Sequence, residues 1–496
     1  MKKKVLKLSL FSTLFLLLFI VVFVVVNLFD APEPEGLFTI KDLNPATLDC
    51  HNGYFQVMAF TYPAKIDIRS KSVCKGIQVF SRPETLVQTS SRFQRLHKKH
   101  RDQSKELRIQ TTKDAPKALF KLENHQDFAQ LILNKASVSN GLEMNAVLIQ
   151  RYTSLLNTSY VSDFSLPSIS YPIPPLITII KTGKLYTASI VISAIEGDWD
   201  TAVDKLLKQL QFFIKLHQNS RILIGKIAWQ AISRTTLKAL TFLMSRDECP
   251  RHLYASVLKR LPPLTEADIS LKHAYIHEFL NGVQLIDDLL KSGDTPFQDI
   301  GVVSSFLPST SDWLNFLIKF KIFLNRNRTI GFYLKETRKI LNYENRPPYR
   351  WEQKLADLIP PDPTSGLFWW FSNPVGKALY AMSYGSYQNT IYKKYELKAI
   401  YDMVRLCAEY YMTQTADKSA KEVIQGLGNY KSLDPFSGKP YRFNLKKKRF
   451  YSIGTNLKDD SGIDQRGKRQ QNLDIVIFCH FKKAPKYTEN SETARQ

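Results

Sequence analysis

The chain has 496 residues, 44% of them hydrophobic and 12% aromatic, which excludes collagen-like, low-complexity and wholly disordered classes and leaves room for a large core. Five cysteines are too few, and odd in number, for a disulfide scaffold. A net charge of +24, from 69 Lys and Arg against 45 Asp and Glu, favours an anionic surface, and whether that is lipid, acidic polymer or nucleic acid depends on where the chain sits.

Residues 8–29 settle the location. Leu8 to Phe29 is an almost unbroken apolar run that as a helix extends roughly 33 Å, enough to cross a bilayer core. Lys2, Lys3, Lys4 and Lys7 precede it and Asp30, Glu33 and Glu35 follow it, a bias that keeps the N-terminus cytoplasmic and sends the remainder outward. The run is longer than the apolar core of a usual secretory signal, and Asn27-Leu28-Phe29-Asp30-Ala31-Pro32 lacks a small-x-small cleavage pattern. An uncleaved anchor is therefore preferred to a removed signal. No second run approaches spanning length free of charges, so the expectation is a single-pass protein of the inner, cytoplasmic membrane with a periplasmic body. That placement makes lipid the expected partner of the anchor and excludes nucleic acid. Cys50 and Cys74 flank one compact segment and are able to pair in an oxidising compartment, whereas Cys407 falls in an apolar stripe and reads as a packed thiol.

Residues 30–120 form a membrane-proximal, mixed and basic region. Gly53 to Phe60 reads as a short β-like run. The stretch 92–117, with Arg92, Arg95, Lys98, Lys99, Arg101, Lys105 and Arg108, reads as a solvated face or a lipid-facing patch. Residues 121–359 are expected to form a domain of antiparallel, repeat-like helical hairpins. The first hairpin runs from near His125 to Leu155 with a break at Asn140-Gly141, and Pro167, Pro172, Pro174 and Pro175 make an extended boundary. In the block 184–291, Ala202, Leu206, Leu210, Phe213 and His217 share one helix face. The runs 222–244 and 264–290 supply two further long helices around the Pro262-Pro263 break. Glu196-Gly197-Asp198-Trp199-Asp200-Thr201-Ala202 resembles the inner turn of a tetratricopeptide repeat, with no second copy at that repeat's period. Trp313 to Leu341 continues in helix. The Leu367-Phe368-Trp369-Trp370-Phe371 cluster suits a membrane interface or a core equally, and a helix from Tyr392 to Tyr411 follows.

Residues 360–480 are expected to be a small α+β module, followed by a flexible tail at 481–496. The helix is succeeded by Asp434-Pro435-Phe436-Ser437-Gly438-Lys439-Pro440-Tyr441, then Tyr451-Ser452-Ile453-Gly454, an acidic turn at Asp459-Asp460-Ser461-Gly462, and Leu473-Asp474-Ile475. This succession resembles the C-terminal half of type II secretion major pseudopilins. The resemblance implies a helix packed on a small sheet and a calcium-holding loop, for which Asp459, Asp460 and Asp474 are the positions that carry over. Arg466, Lys468 and Arg469 depart from the family's acidic loop and oppose a divalent cation. The apolar N-terminal run also lacks the glutamate of a prepilin helix, so a filament subunit is not expected. The whole arrangement is similar to a group of bacterial membrane-anchored proteins, a likeness that implies an architecture and no activity.

Catalytic patterns are sparse. His273 and His277 lie one helical turn apart beside Glu278, but Asn281 stands where a zincin pattern fails, so they read as ordinary helix histidines; His97 and His100 in the basic run read the same way. Asp198-Trp199-Asp200 mimics a glycosyltransferase Asp-x-Asp, yet at a helix turn Asp200 reads as an N-terminal cap. Ser437-Gly438-Lys439 lacks the rest of a P-loop, and there is no Gly-x-Ser-x-Gly or Cys-x-x-Cys. The expected function is a non-catalytic scaffold or assembly factor of the cell envelope with a protein partner. The alternative is an envelope-polymer hydrolase or transferase whose active site carries no motif.

Overall fold

The structure, a computed structural model, describes residues 2–80, 107–110, 122, 124–168, 171–291, 324–352, 373–414, 420–427, 432–463 and 474–479. Most of the basic 92–117 stretch with His97 and His100, the start of the helix expected from Trp313, the 367–371 aromatic cluster, the 464–473 loop and the tail lie outside the described residues. Within them the protein is mainly helical, with one small antiparallel three-stranded sheet.

Helix α1 (Lys2–Leu28) is the apolar N-terminal run. Leu14, Phe15, Leu16, Leu17 and Leu18 are each more than half exposed, and Ile20, Val21, Val22 and Val25 are exposed as well. After an extended strap and a 3-10 turn at Ile40–Asp42 come α2 (Tyr54–Met58) and α3 (Lys71–Phe80). The β-like reading of residues 53–60 is thus replaced by helix. Asn52 accepts the Tyr54 amide at 3.1 Å and the Ser162 amide at 2.9 Å, and Tyr54, Phe55 and Val57 are all buried. Burial on adjacent positions departs from the alternation of a half-buried strand. A Cys50–Cys74 disulfide ties this segment to α3.

Helices α4 (His125–Leu133), α5 (Lys135–Met144) and α6 (Ala146–Leu156) follow. The breaks fall at Asn134 and Asn145, not at Asn140-Gly141. Asn134 donates to the Gln130 carbonyl at 2.8 Å, and Asn145 donates to the Gly141 carbonyl at 2.8 Å and exchanges two further bonds with Gln110. Their amides compete with the helical ladder, whereas Gly141 stays helical and faces Leu185 at close range.

The centre is α7 (Leu176–Ile195), α8 (Trp199–Asn219) and α9 (Leu223–Met244), which pack on one another in all three pairings. Leu206, Leu210 and Phe213 on α8 are fully buried, as their spacing requires. Although α7 carries Lys181 and Lys184, it is long and apolar enough to cross a membrane. Its Ile179, Leu185, Ala188, Val191 and Ala194 are nonetheless buried inside the bundle. Next come α10 (His252–Arg260), α11 (Glu266–Ile269) and α12 (Lys272–Lys291). The single helix expected over 264–290 is interrupted at Ser270.

Helix α13 (Arg326–Glu344) leads to a 3-10 turn at Pro348–Arg350, and α14 (Pro374–Thr413), a 40-residue helix, runs against α9, α10 and α13. Helix α15 (Ala420–Leu427) precedes β1 (Arg442–Asn444), β2 (Arg449–Ser452) and β3 (Ile475–Phe478), in the order β1-β2-β3 with Phe450 opposite Ile477. Phe450, Ile475 and Ile477 are buried, and α14 lies against β2 and β3. One hydrophobic core runs from Leu122 through the central helices to Cys479, and a second joins α2 and α3 to α6, α8 and α9.

Candidate functional site

Four groups of interactions fix this molecule's connections, and the first two tie the body to its N-terminal helix. The first is the joint where α1 ends. Asn27 sits in a run of valines, yet it is fully buried. Its side chain accepts the Asn373 amide at 2.8 Å, and its carbonyl accepts the Asn325 side chain at 2.8 Å. Asn373 adopts a left-handed backbone (φ 52°) just before Pro374 opens α14, and its side chain accepts the Asn325 amide at 3.1 Å and bonds Thr329 at 2.9 Å. Asp30 accepts the Asn327 and Arg328 amides at 2.7 and 3.0 Å, placing a carboxylate on the orphan donors and positive pole of α13. Arg328 donates to the Val26 carbonyl at 2.7 Å, capping the other helix end. Gly376 permits the close approach, because a Cβ there would collide with the Thr329 hydroxyl.

The second group lies along the strap that leaves the joint. Ala31 is held by Asn327, Pro34 rests near Gly331, the Gly36 carbonyl accepts Arg338 at 2.7 Å, and Phe38 meets Phe279 edge to face at 5.5 Å. Gly36 has a positive φ of 66°, a conformation that glycine takes at little cost. The strap ends where the Asp42 carbonyl meets His273 at 3.2 Å and Asn44 donates to the Asn219 carbonyl at 2.9 Å.

The third is a buried seam under the strap's end. Asp163, fully buried, accepts the Arg221 amide at 2.8 Å, the Ser220 hydroxyl at 3.0 Å and the Ser165 amide at 2.8 Å, so it fixes the turn between α8 and α9. Lys226 on α9 is also fully buried. Its ammonium donates to the His217 carbonyl at 2.6 Å and the Ser270 carbonyl at 2.8 Å, joining the C-terminus of α8 to the break before α12. Burial pushes the Lys226 ammonium down to about 7, against the pull of Glu344 and Asp163. Burial, with the nearby Lys226 charge, also holds His217 well below the usual imidazole range, and its ring bonds Gln230 at 2.9 Å. Glu344, fully buried at the end of α13, accepts the Leu271 amide at 2.8 Å and the Lys394 ammonium at 2.6 Å. Lys394 also reaches Glu266 at 3.0 Å, so one cation ties α14 to α13 and α11.

The sequence's candidate catalytic residues do not meet in one cavity. His277 is buried beside the Ser165–Leu166 backbone, and burial lowers it to about 4. Half-buried Glu278 turns toward the Leu223 amide at the start of α9, and burial raises it to about 7. Half-buried His273 faces the strap. Asp198 is exposed on the α7–α8 turn and bonds Ser193 at 3.3 Å. Asp198, not Asp200, occupies the N-cap position of α8; Asp200 lies in the first turn and bonds His252 at 2.7 Å. A small recess among Asn124, His125, Phe242 and Phe478 contains none of these residues.

The fourth group is in the C-terminal sheet. Asp434, buried, accepts the Ser452 hydroxyl at 2.6 Å, the Ser437 hydroxyl at 2.7 Å and the Phe436 amide at 3.0 Å. The Asp-Pro-x-x-Gly turn and the Tyr-Ser-x-Gly strand are therefore two halves of one knot. Gly438 (φ 67°) closes the turn against the Tyr349 ring. Of the residues singled out for calcium, Asp474 accepts the Gly462 amide at 2.6 Å and the Asp460 amide at 3.3 Å. Asp459 pairs with Arg442 at 3.3 Å, and Asp460 accepts the Asn456 side chain at 2.8 Å. Burial, with Asp460 and Asp459 adding to it, raises the Asp474 carboxyl against the pull of those amides. The three aspartates share one loop, but amides and a guanidinium take up their oxygens. Among the described residues no group of three metal-ligating side chains is assembled.

No protein-family model, curated protein or solved structure matches the chain.

Proposed function

We propose that the protein is a single-pass, membrane-anchored scaffold or assembly factor whose helical body is presented in a fixed orientation on the outer side of a bacterial cytoplasmic membrane. The observation that carries this reading is the joint. An exposed apolar helix ends in a buried Asn27-Asn325-Asn373-Thr329 network, so the body grips the helix's end instead of trailing from it. Exposed leucines and valines along α1 suit hydrocarbon. The Cys50–Cys74 disulfide suits an oxidising compartment, and the N-terminal lysines suit a cytoplasmic start. The body offers helical hairpins as an interaction surface, and the sheet with its Asp434 knot caps α14 as a pseudopilin-like module. A non-catalytic role is favoured because His277, Glu278 and Asp198 are parted.

The test uses the full chain in cells. A cysteine placed at exposed Lys458 is expected to react with a membrane-impermeant maleimide in intact spheroplasts, and photo-crosslinkers on the exposed faces of the body are expected to trap a discrete envelope protein. Labelling only after lysis overturns the topology. Absence of any specific adduct from every face overturns the scaffold role.

A further inference from the structure

Three thiols lie in the body, and two of them are neighbours. Cys407, on the buried face of α14, and Cys479, at the end of β3, are both fully buried. The Cys407 thiol reaches the carbonyl of Phe478, the residue next to Cys479, at 3.9 Å, and Cys479 is among the groups that hold the Cys407 thiol high. Cys479 is held in place by its amide, which donates to the Lys448 carbonyl at 3.0 Å. The third thiol, Cys249, bonds the Tyr254 hydroxyl, and the Tyr254 and Tyr411 rings stack at 5.0 Å beside the Cys407–Cys479 pair. An odd set of five cysteines thus divides into the Cys50–Cys74 bridge, a neighbouring pair and one remaining thiol.

We propose that Cys407 and Cys479 are a second disulfide site, oxidised during folding, which staples the C-terminal sheet to the long helix. The inference rests on the proposed outward location of the body. Burial holds the Cys407 thiol well above its usual range, so in the folded protein it is a poor nucleophile. The bond therefore forms before β3 closes on α14. A thiolate at one cysteine attacks an exogenous disulfide oxidant and releases one of its sulfurs as a thiol. The second cysteine then attacks the resulting mixed disulfide, giving the protein disulfide and the fully reduced dithiol of the oxidant, so that two electrons and two protons pass to the oxidant.

The test maps bonds in the wild-type full chain, extracted from membranes in detergent after acid quench and alkylation under denaturing conditions. Mass spectrometry under non-reducing conditions is expected to recover a Cys407–Cys479 linked peptide, with Cys249 alkylated. Recovery of Cys407 and Cys479 as separate alkylated peptides overturns the proposal. The Cys50–Cys74 peptides report independently on the compartment: linked, they leave the location standing when the second bond is absent, and alkylated, they overturn the location. A Cys407→Ala/Cys479→Ala pair is expected to lose several degrees of Tm relative to the oxidised wild type. Equal Tm values for the two proteins would also count against the staple.

Discussion

Lys226 shows what a single residue contributes to this fold. Among the described residues no carboxylate lies within ion-pair distance of it, and its ammonium is held by main-chain carbonyls. Its pKa in the folded protein, about 7, lies below its value near 10.4 in an unfolded chain. Between those values the unfolded state binds more protons, so stability rises with pH. From pH 7 to 9 the gain is about 2 kcal/mol for this one group. Below pH 7, protonation of His217 and His277 in the unfolded chain lowers stability as acid is added, while Glu278 acts in the opposite sense, so the alkaline window is the cleaner one. Urea titrations of the full chain in detergent are expected to show that rise, and Lys226→Met is expected to remove it; a variant with the same slope would show that the ammonium is hydrated. At Glu344 and Lys394 the sign of the chemistry differs, because two buried charges neutralise each other. Lys394→Met leaves Glu344 uncompensated and is expected to cost about 3–5 kcal/mol in the same assay.

At the level of elements, helices were readable where burial follows a single face. The period of Leu206, Leu210 and Phe213 predicts α8, and the Pro262-Pro263 break is where it was expected. Side chains that compete with the backbone were harder to read: Asn134 and Asn145 end helices, whereas Gly141 does not. The Tyr54–Met58 helix was missed because its apolar residues are buried on adjacent positions. The joint was not legible. Asn27 is an interruption of a valine run until Asn325 and Asn373 are brought to it, and those partners are 298 and 346 residues away in the chain. Gly376 gave no signal either, since Thr329 of α13 and the Asn373 side chain at the start of α14 together make a Cβ intolerable there. Gly376→Ala is therefore expected to destabilise by about 1–3 kcal/mol through overpacking, measurable by thermal melting of the full chain. The sheet's turn motifs were readable as turns, but their pairing through Asp434 and Ser452 was not. In the acidic loop, amides already satisfy Asp474, so millimolar calcium or a chelator is expected to leave Tm within about a degree; a rise of several degrees on adding calcium would assign the loop to a cation.

For the whole molecule, the decisive feature is that anchor, strap and seam are continuous. Asp30 engages the start of α13, Arg338 holds Gly36, His273 meets Asp42, and Asn44 reaches the turn that Asp163 and Arg221 organise. A body gripped in this way holds one orientation relative to α1, which is what the proposed assembly surface requires and a long flexible leash would not provide. Hydrogen exchange of the full chain in liposomes tests this most directly. The Asn327, Arg328 and Asn373 amides, which bond Asp30 and Asn27, are expected to be strongly protected. An Asn27→Ala/Asp30→Ala variant is expected to lose that protection at all three while peptides around Lys226 and Glu344 stay protected. Exchange of the three amides at the rate of free peptide in the wild type would contradict the account and make α1 a loose tether.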